Sequence, residues 1–105
     1  MEKWENKKTE DLIEAILALE SGKEAKKFLR DLLTEREIIE FGNRWKAARM
    51  LSEKISYPKI QTETGLSSRT IARISNWLKN GKGGYQLVLN RIKHHDSIQT
   101  GRGLS

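Results

Sequence analysis

The stretch YPKIQTETGLSSRTIARISN, residues 57–76, decides how this 105-residue chain reads. Ser56 precedes it as a helix cap, and Pro58 falls in a first turn, where a missing N–H matters least. A short helix over 57–64 follows. Gly65 breaks that helix and tolerates the positive φ that a tight turn needs. Leu66 comes next, and Ser67 or Ser68 caps a second helix reaching Asn80. Two short helices meeting at a sharp angle must bury a small common core. Ile60 on the first, Leu66 in the turn and Ile71 and Ile74 on the second stand where that packing requires, with Leu78 extending the stripe. The pattern is that of a helix-turn-helix over 56–80. Gln61 is its one irregular position, because a small residue usually eases the close helix contact there.

Burying that stripe fixes what faces outward. Ser67, Ser68, Arg69, Thr70 and Arg73 lie on the exposed side near the N-terminus of the second helix. A recognition helix presents those positions to base edges in the major groove. Arg69 suits guanine O6 and N7, a pairing worth roughly 1–3 kcal/mol of discrimination. Ser68 and the methyls of Thr70 and Ala72 suit thymine methyls. Lys59, Lys79 and Lys82 suit phosphates, which position a protein without specifying sequence. A plain helical hairpin on a protein surface would show much of the same pattern.

Charge separates these readings further. Residues 1–55 carry 12 basic and 12 acidic side chains, and residues 56–105 carry 8 and 2, so the whole net charge of +6 lies in the second half. Such asymmetry favours a polyanion, since neutralising phosphates releases condensed counterions. A basic surface kept for solubility is the simpler alternative.

Upstream, TEDLIEAILALE (9–20) spaces Leu12, Ile13, Ile16, Leu17 and Leu19 as an amphipathic helix, with Thr9 as its expected N-cap and Gly22 as its end. A second helix is expected over 23–33, with Ala25, Phe28, Leu29, Leu32 and Leu33 as its apolar stripe. Thr34 and Glu37 form a capping-box pattern. A third helix over 35–53 places Ile38, Phe41, Trp45, Ala48, Met50 and Leu51 on its buried side. Downstream, GKGG (81–84) stops the reading helix, and 85–94 fits either a final helix or a short strand. Residues 1–8 and 95–105 read as a flexible arm and tail around one all-α domain at 9–94. Within it, 9–53 is the expected dimer core.

Composition agrees with an oligomer. Apolar residues make up 36% and charged residues 32%, against roughly 45–50% and 25% in average chains. Helical spacing argues against disorder, so a core shared between copies is the better reading. With no cysteine, disulfides and thiolate metal sites are excluded. No apolar run approaches the roughly 18 residues of a membrane span, and no signal core is seen, so a cytoplasmic protein without membrane contact is expected. His94 and His95 point apart on a helix and lack nearby carboxylates, so no metal is expected. GKGGY lacks Walker spacing and follows no strand. No nucleophile–base pair stands out, and neither an enzyme activity nor a cofactor is expected. Trp4, Trp45 and Trp77 read as packing or interface anchors, with Trp45 in the core and Trp4 on the arm.

Three segments carry a family resemblance: L-T-x-x-E at 33–37, G-N-R at 42–44 and S-x-x-x-I-x-x-E-x-G-x-x-x-x-T-I-x-R-x-S-N-x-L-K at 56–79. In order, they resemble the Trp repressor. SRTIARIS (68–75) with NWLKNGKGGYQLVLNR (76–91) is similar to the YerC/YecD-type branch of Trp repressor-like proteins. The resemblance covers about 30–93. It implies an intertwined homodimer whose first three helices build the core, two helix-turn-helix heads, and a palindromic operator read in successive major grooves. It implies DNA contacts from Tyr57, Gln61, Ser68, Arg69, Thr70, Ala72 and Lys79. It also matches Thr34, Arg44 and Arg73 to positions that hold the polar end of tryptophan. Ile74 replaces a glycine that leaves room for that ligand, and Trp77 replaces a serine one turn on. Overpacking of this kind opposes binding, so free tryptophan is not expected as effector, and any other effector is left open. Thr34 as a plain N-cap, and Arg44 and Arg73 as ion-pair residues, are the structural alternatives.

Two functional classes follow. One is a sequence-specific transcriptional regulator, a repressor by the resemblance. The other is an interaction or scaffold dimer whose helix-turn-helix docks another protein. Nonspecific DNA binding of an architectural kind is a weaker third.

Overall fold

A computed structural model describes the backbone of residues 2–103 and the side chains of residues 2–94. Six helices follow one another: α1 Lys7–Leu17, α2 Gly22–Leu32, α3 Glu35–Ser52, α4 Tyr57–Thr64, α5 Ser68–Asn80 and α6 Gly84–Gly103. No strand occurs among the described residues. The chain forms two compact units, Met1–Ile39 and Glu40–Ser105, divided inside α3.

The first unit is built from caps. α1 starts three residues before the expected position. Asn6, not Thr9, is its N-cap, because the Asn6 Oδ1 accepts the Thr9 N–H at 3.1 Å while Thr9 Oγ1 accepts the Asn6 N–H at 3.0 Å. Thr9 is therefore the third residue of a capping box. The helix stops at Leu17, short of Gly22. Ser21 caps α2 by accepting the Glu24 N–H at 3.1 Å, so Gly22 opens that helix rather than closing the one before. Neither α1 nor α2 has a buried residue.

The second unit carries the core of the described chain. Ala47, Ala48 and Met50 of α3 pack with Ile60 of α4 and with Ile71 and Ile74 of α5; Leu51, Ile55, Leu66 and Tyr85 close around them. The last turns of α3 thus belong with the α4–α5 pair, because Ala47 and Ala48 let α4 and α5 approach. Trp45 is half-buried rather than central, and its ring stacks on Tyr85 with centroids 6.3 Å apart.

α3 ends in a Schellman arrangement. Ile55 N–H donates to Met50 O at 3.0 Å and Lys54 N–H donates to Leu51 O at 3.0 Å, with Lys54 at φ 62°. Ile55 is thereby turned into the core. Of the two readings open for 85–94, the helix is the one adopted, and it runs on to Gly103. The backbone is helical through much of the stretch expected to be a tail; residues 104 and 105 lie outside the described residues.

Candidate nucleic-acid interface

The site grows from the turn between α4 and α5. Gly65 caps α4 at φ 72°, the left-handed conformation that favours glycine, and its N–H donates to Gln61 O at 2.8 Å. Thr64 beside it is buried, and its hydroxyl works twice. It donates to Ile60 O at 2.7 Å and accepts the Leu66 N–H at 3.2 Å. This buried polar hinge sets the angle at which the chain leaves α4, and the sequence reading missed it. The only signal is a hydroxyl residue just before the turn glycine. Gln61, the irregular position, is exposed and outside the core cluster, so its bulk does not crowd the helix pair. Ser56 stands at the N-cap of α4, but its hydroxyl makes no capping bond.

Ser67 then caps α5, accepting the Thr70 N–H at 3.1 Å and donating to Thr70 Oγ1 at 3.1 Å. Ile71, Ile74 and Leu78 are buried at i, i+3, i+7 spacing. Ser68, Arg69, Ala72 and Arg73 are exposed on the other side, and Thr70 is half-buried. Ser67 is exposed, yet its hydroxyl is committed to the cap with Thr70, leaving the Thr70 methyl as that residue's free feature. Arg69 and Arg73, one turn apart, enter no ion pair among the described residues. Asn76 and Asn80 prolong their row, with the Asn80 amide donating to Asn76 Oδ1 at 3.0 Å; the sequence reading left both out. Tyr57, Lys59 and Gln61 of α4 and Lys79 of α5 are exposed. Glu63 lies within 3.9 Å of Lys46 of α3, and no acid follows it until Asp96.

The five positions matched to an effector divide between the two units. Thr34 lies in the first, where it makes a reciprocal capping box: its N–H donates to Glu37 Oε1 at 2.9 Å and its Oγ1 accepts the Glu37 N–H at 3.1 Å. Those bonds hold the Glu37 carboxyl below its ordinary pKa of 4.5, the Thr34 N–H contributing most and the hydroxyl next. In the second unit, Arg44 Nη2 lies 3.6 Å from Glu40 Oε1, and its Nε is buried without a partner among the described residues. Arg73 is exposed, Ile74 is fully buried in the core cluster, and Trp77 is 42% exposed. Ile74 therefore serves the packing of α5 against α3 and α4, while Trp77 keeps an open face. No group of three or more metal-ligating side chains occurs among the described residues, and no described helix is long and apolar enough to cross a membrane.

Comparison with known proteins places this arrangement. The family model of the Trp repressor protein matches residues 7–93. The protein YerC of Bacillus subtilis (strain 168) is 37% identical over 97 residues, covering 92% of this chain and 93% of that protein. A TrpR-like protein from Eubacterium eligens ATCC 27750 superposes with a TM-score of 0.81 at 36% identity, over 85% of this chain and 92% of its own. A candidate Trp repressor from Staphylococcus aureus superposes with a TM-score of 0.78 at 33% identity, over 84% and 88%. With its helix order, its glycine turn and nearly its whole length so matched, this chain belongs to the Trp repressor family.

Proposed function

We propose that this protein is a sequence-specific DNA-binding transcriptional regulator, a repressor that reads a palindromic operator as a homodimer. The observation that carries the reading is the face of α5. Ser68, Arg69, Ala72 and Arg73 stand exposed at its N-terminal half, with no acidic partner among the described residues, opposite the buried Ile71 and Ile74. Arg69 and Ala72 read bases, with Ser68 beside them. Lys59, Lys79 and the backbone amides at the start of α5 hold phosphates. Tyr57 and Gln61 of α4 flank the same groove.

Homodimer formation is supported by what the chain leaves uncovered. Ile13, Ile16, Leu17, Leu29, Leu32, Ile39 and Phe41 are between 39% and 78% exposed. Open apolar surface of this kind on so small a chain marks a face that a partner covers. A two-fold dimer sets two heads about one helical turn of DNA apart, roughly 34 Å, which a palindromic site matches. Free tryptophan is not the effector in this reading. Ile74 fills core space beside Arg73, and the Thr34 hydroxyl and N–H are already used by Glu37.

Selection of bound duplexes from a random pool, with binding measured against salt, tests this function. A palindromic consensus and a steep negative slope of log K against log salt are expected. Arg69→Ala should weaken the selected site by roughly 1–3 kcal/mol and leave nonspecific binding nearly unchanged. No retention on duplex DNA at low salt would replace this reading with that of a scaffold dimer. Calorimetric titration with L-tryptophan is expected to give no heat of binding, and micromolar affinity would overturn that part.

A further inference from the structure

From Lys54 to His95 the chain has eight basic residues and a single acidic one, Glu63. Glu63 sits one turn after Lys59 on α4, and the two side chains leave the helix only about 40° apart around its axis. Residues four apart on a helix are neighbours, so this carboxylate has the Lys59 ammonium within reach. It takes another partner. Glu63 Oε1 lies 3.9 Å from Lys46 Nζ of α3, and Lys59 enters no ion pair among the described residues. Two things favour Lys46 in this competition. A base placed N-terminal to its acid is the weaker order for a pair within one helix, and that is the order of Lys59 and Glu63. Lys46 also precedes Ala47 and Ala48, which pack against Ile60 of α4 in the core, so its backbone is held beside α4.

We infer that Lys46 is a positioning residue: by keeping Glu63 against α3, it leaves Lys59 free to hold a DNA phosphate. The inference rests on the DNA-binding reading. Without Lys46, the Glu63 carboxylate turns to Lys59. It then occupies the ammonium that a phosphate needs and adds an unneutralised negative charge at the binding face. A pair spanning two helices thus decides which cation of α4 and α3 is available to DNA.

The experiment measures binding of the full chain to duplex DNA against salt, for wild type, Lys46→Met, Glu63→Gln and their combination. Lys46→Met should raise the dissociation constant about two- to fivefold at low salt, the size of a half-exposed ion pair. It should also make the slope of log K against log salt shallower by up to about 0.9, one phosphate contact. Glu63→Gln should bind as tightly as wild type or more tightly, and in that background Lys46→Met should cost nothing. Lys46→Arg should restore wild-type binding, and Lys59→Ala should abolish the effect of Lys46→Met. Glu63→Gln binding as weakly as Lys46→Met would make the pair a plain brace and overturn the inference. Lys46→Met costing as much in the Glu63→Gln or Lys59→Ala background would overturn it too, since Lys46 would then act on DNA directly or by another route. In each of these cases DNA binding by wild type stands. A wild type that is not retained on duplex DNA at low salt overturns both readings.

Discussion

At the residue scale, side chains here divide by whether burial or bonding decides their part. Burial was legible. Once Ile60, Ile71, Ile74 and Leu78 share a stripe, Arg69 and Arg73 must face out, and the structure has them there. Hydroxyl bonding was not legible, because it depends on backbone angles that no spacing reveals. Thr64 is the main case. Replacing it with valine keeps the shape but leaves the Leu66 N–H without its acceptor. Thr64→Val should lower stability by about 1–3 kcal/mol, read from urea unfolding, and should loosen the angle between α4 and α5. Ser67 and Thr70 are a milder case. Both sit on the expected reading face, yet they spend their hydroxyls on each other.

At the element scale, helix identity was clear from periodicity, and helix ends were less so. Caps compete, and the winner is set by which side chain reaches which amide. At α1, Asn6 takes the place expected of Thr9. At α3, the Thr34–Glu37 box forms as the sequence suggests. The lowered Glu37 pKa gives that box a pH signature. A carboxyl whose folded pKa is depressed adds stability above its unfolded value and loses it as pH falls through the folded value. The start of α3 should therefore fray only in acid below pH 4.5. Carboxyl titration by NMR should place Glu37 below its ordinary value, and Glu37→Gln should remove that acid step. The other end of α3 is held by Lys54 at φ 62°, a conformation that disfavours a Cβ. Lys54→Gly should raise stability by roughly 0.5–1 kcal/mol, measured as a shift in the unfolding midpoint.

At the scale of the whole molecule, charge and apolar surface are sorted along the chain. The neutral residues 1–55 leave the apolar faces of α1 and α2 open, and the basic residues 56–105 share the buried core with the last turns of α3. Lean composition points to a shared core, but no spacing in one sequence tells which face a second copy would cover. A chain whose first unit has no buried residue in α1 or α2 should gain stability from association. Its melting temperature should rise with protein concentration, and scanning calorimetry over a hundredfold range checks this; a constant temperature would tell against the dimer.

The three tryptophans fall in three settings: Trp4 out on the N-terminal segment, Trp45 stacked on Tyr85, and Trp77 part-open on α5 itself. They should therefore emit at different wavelengths. With Trp4 and Trp45 replaced by phenylalanine, the remaining indole fluoresces from α5 alone. The protein thus carries a built-in optical probe of whatever approaches that helix, and needs no attached dye.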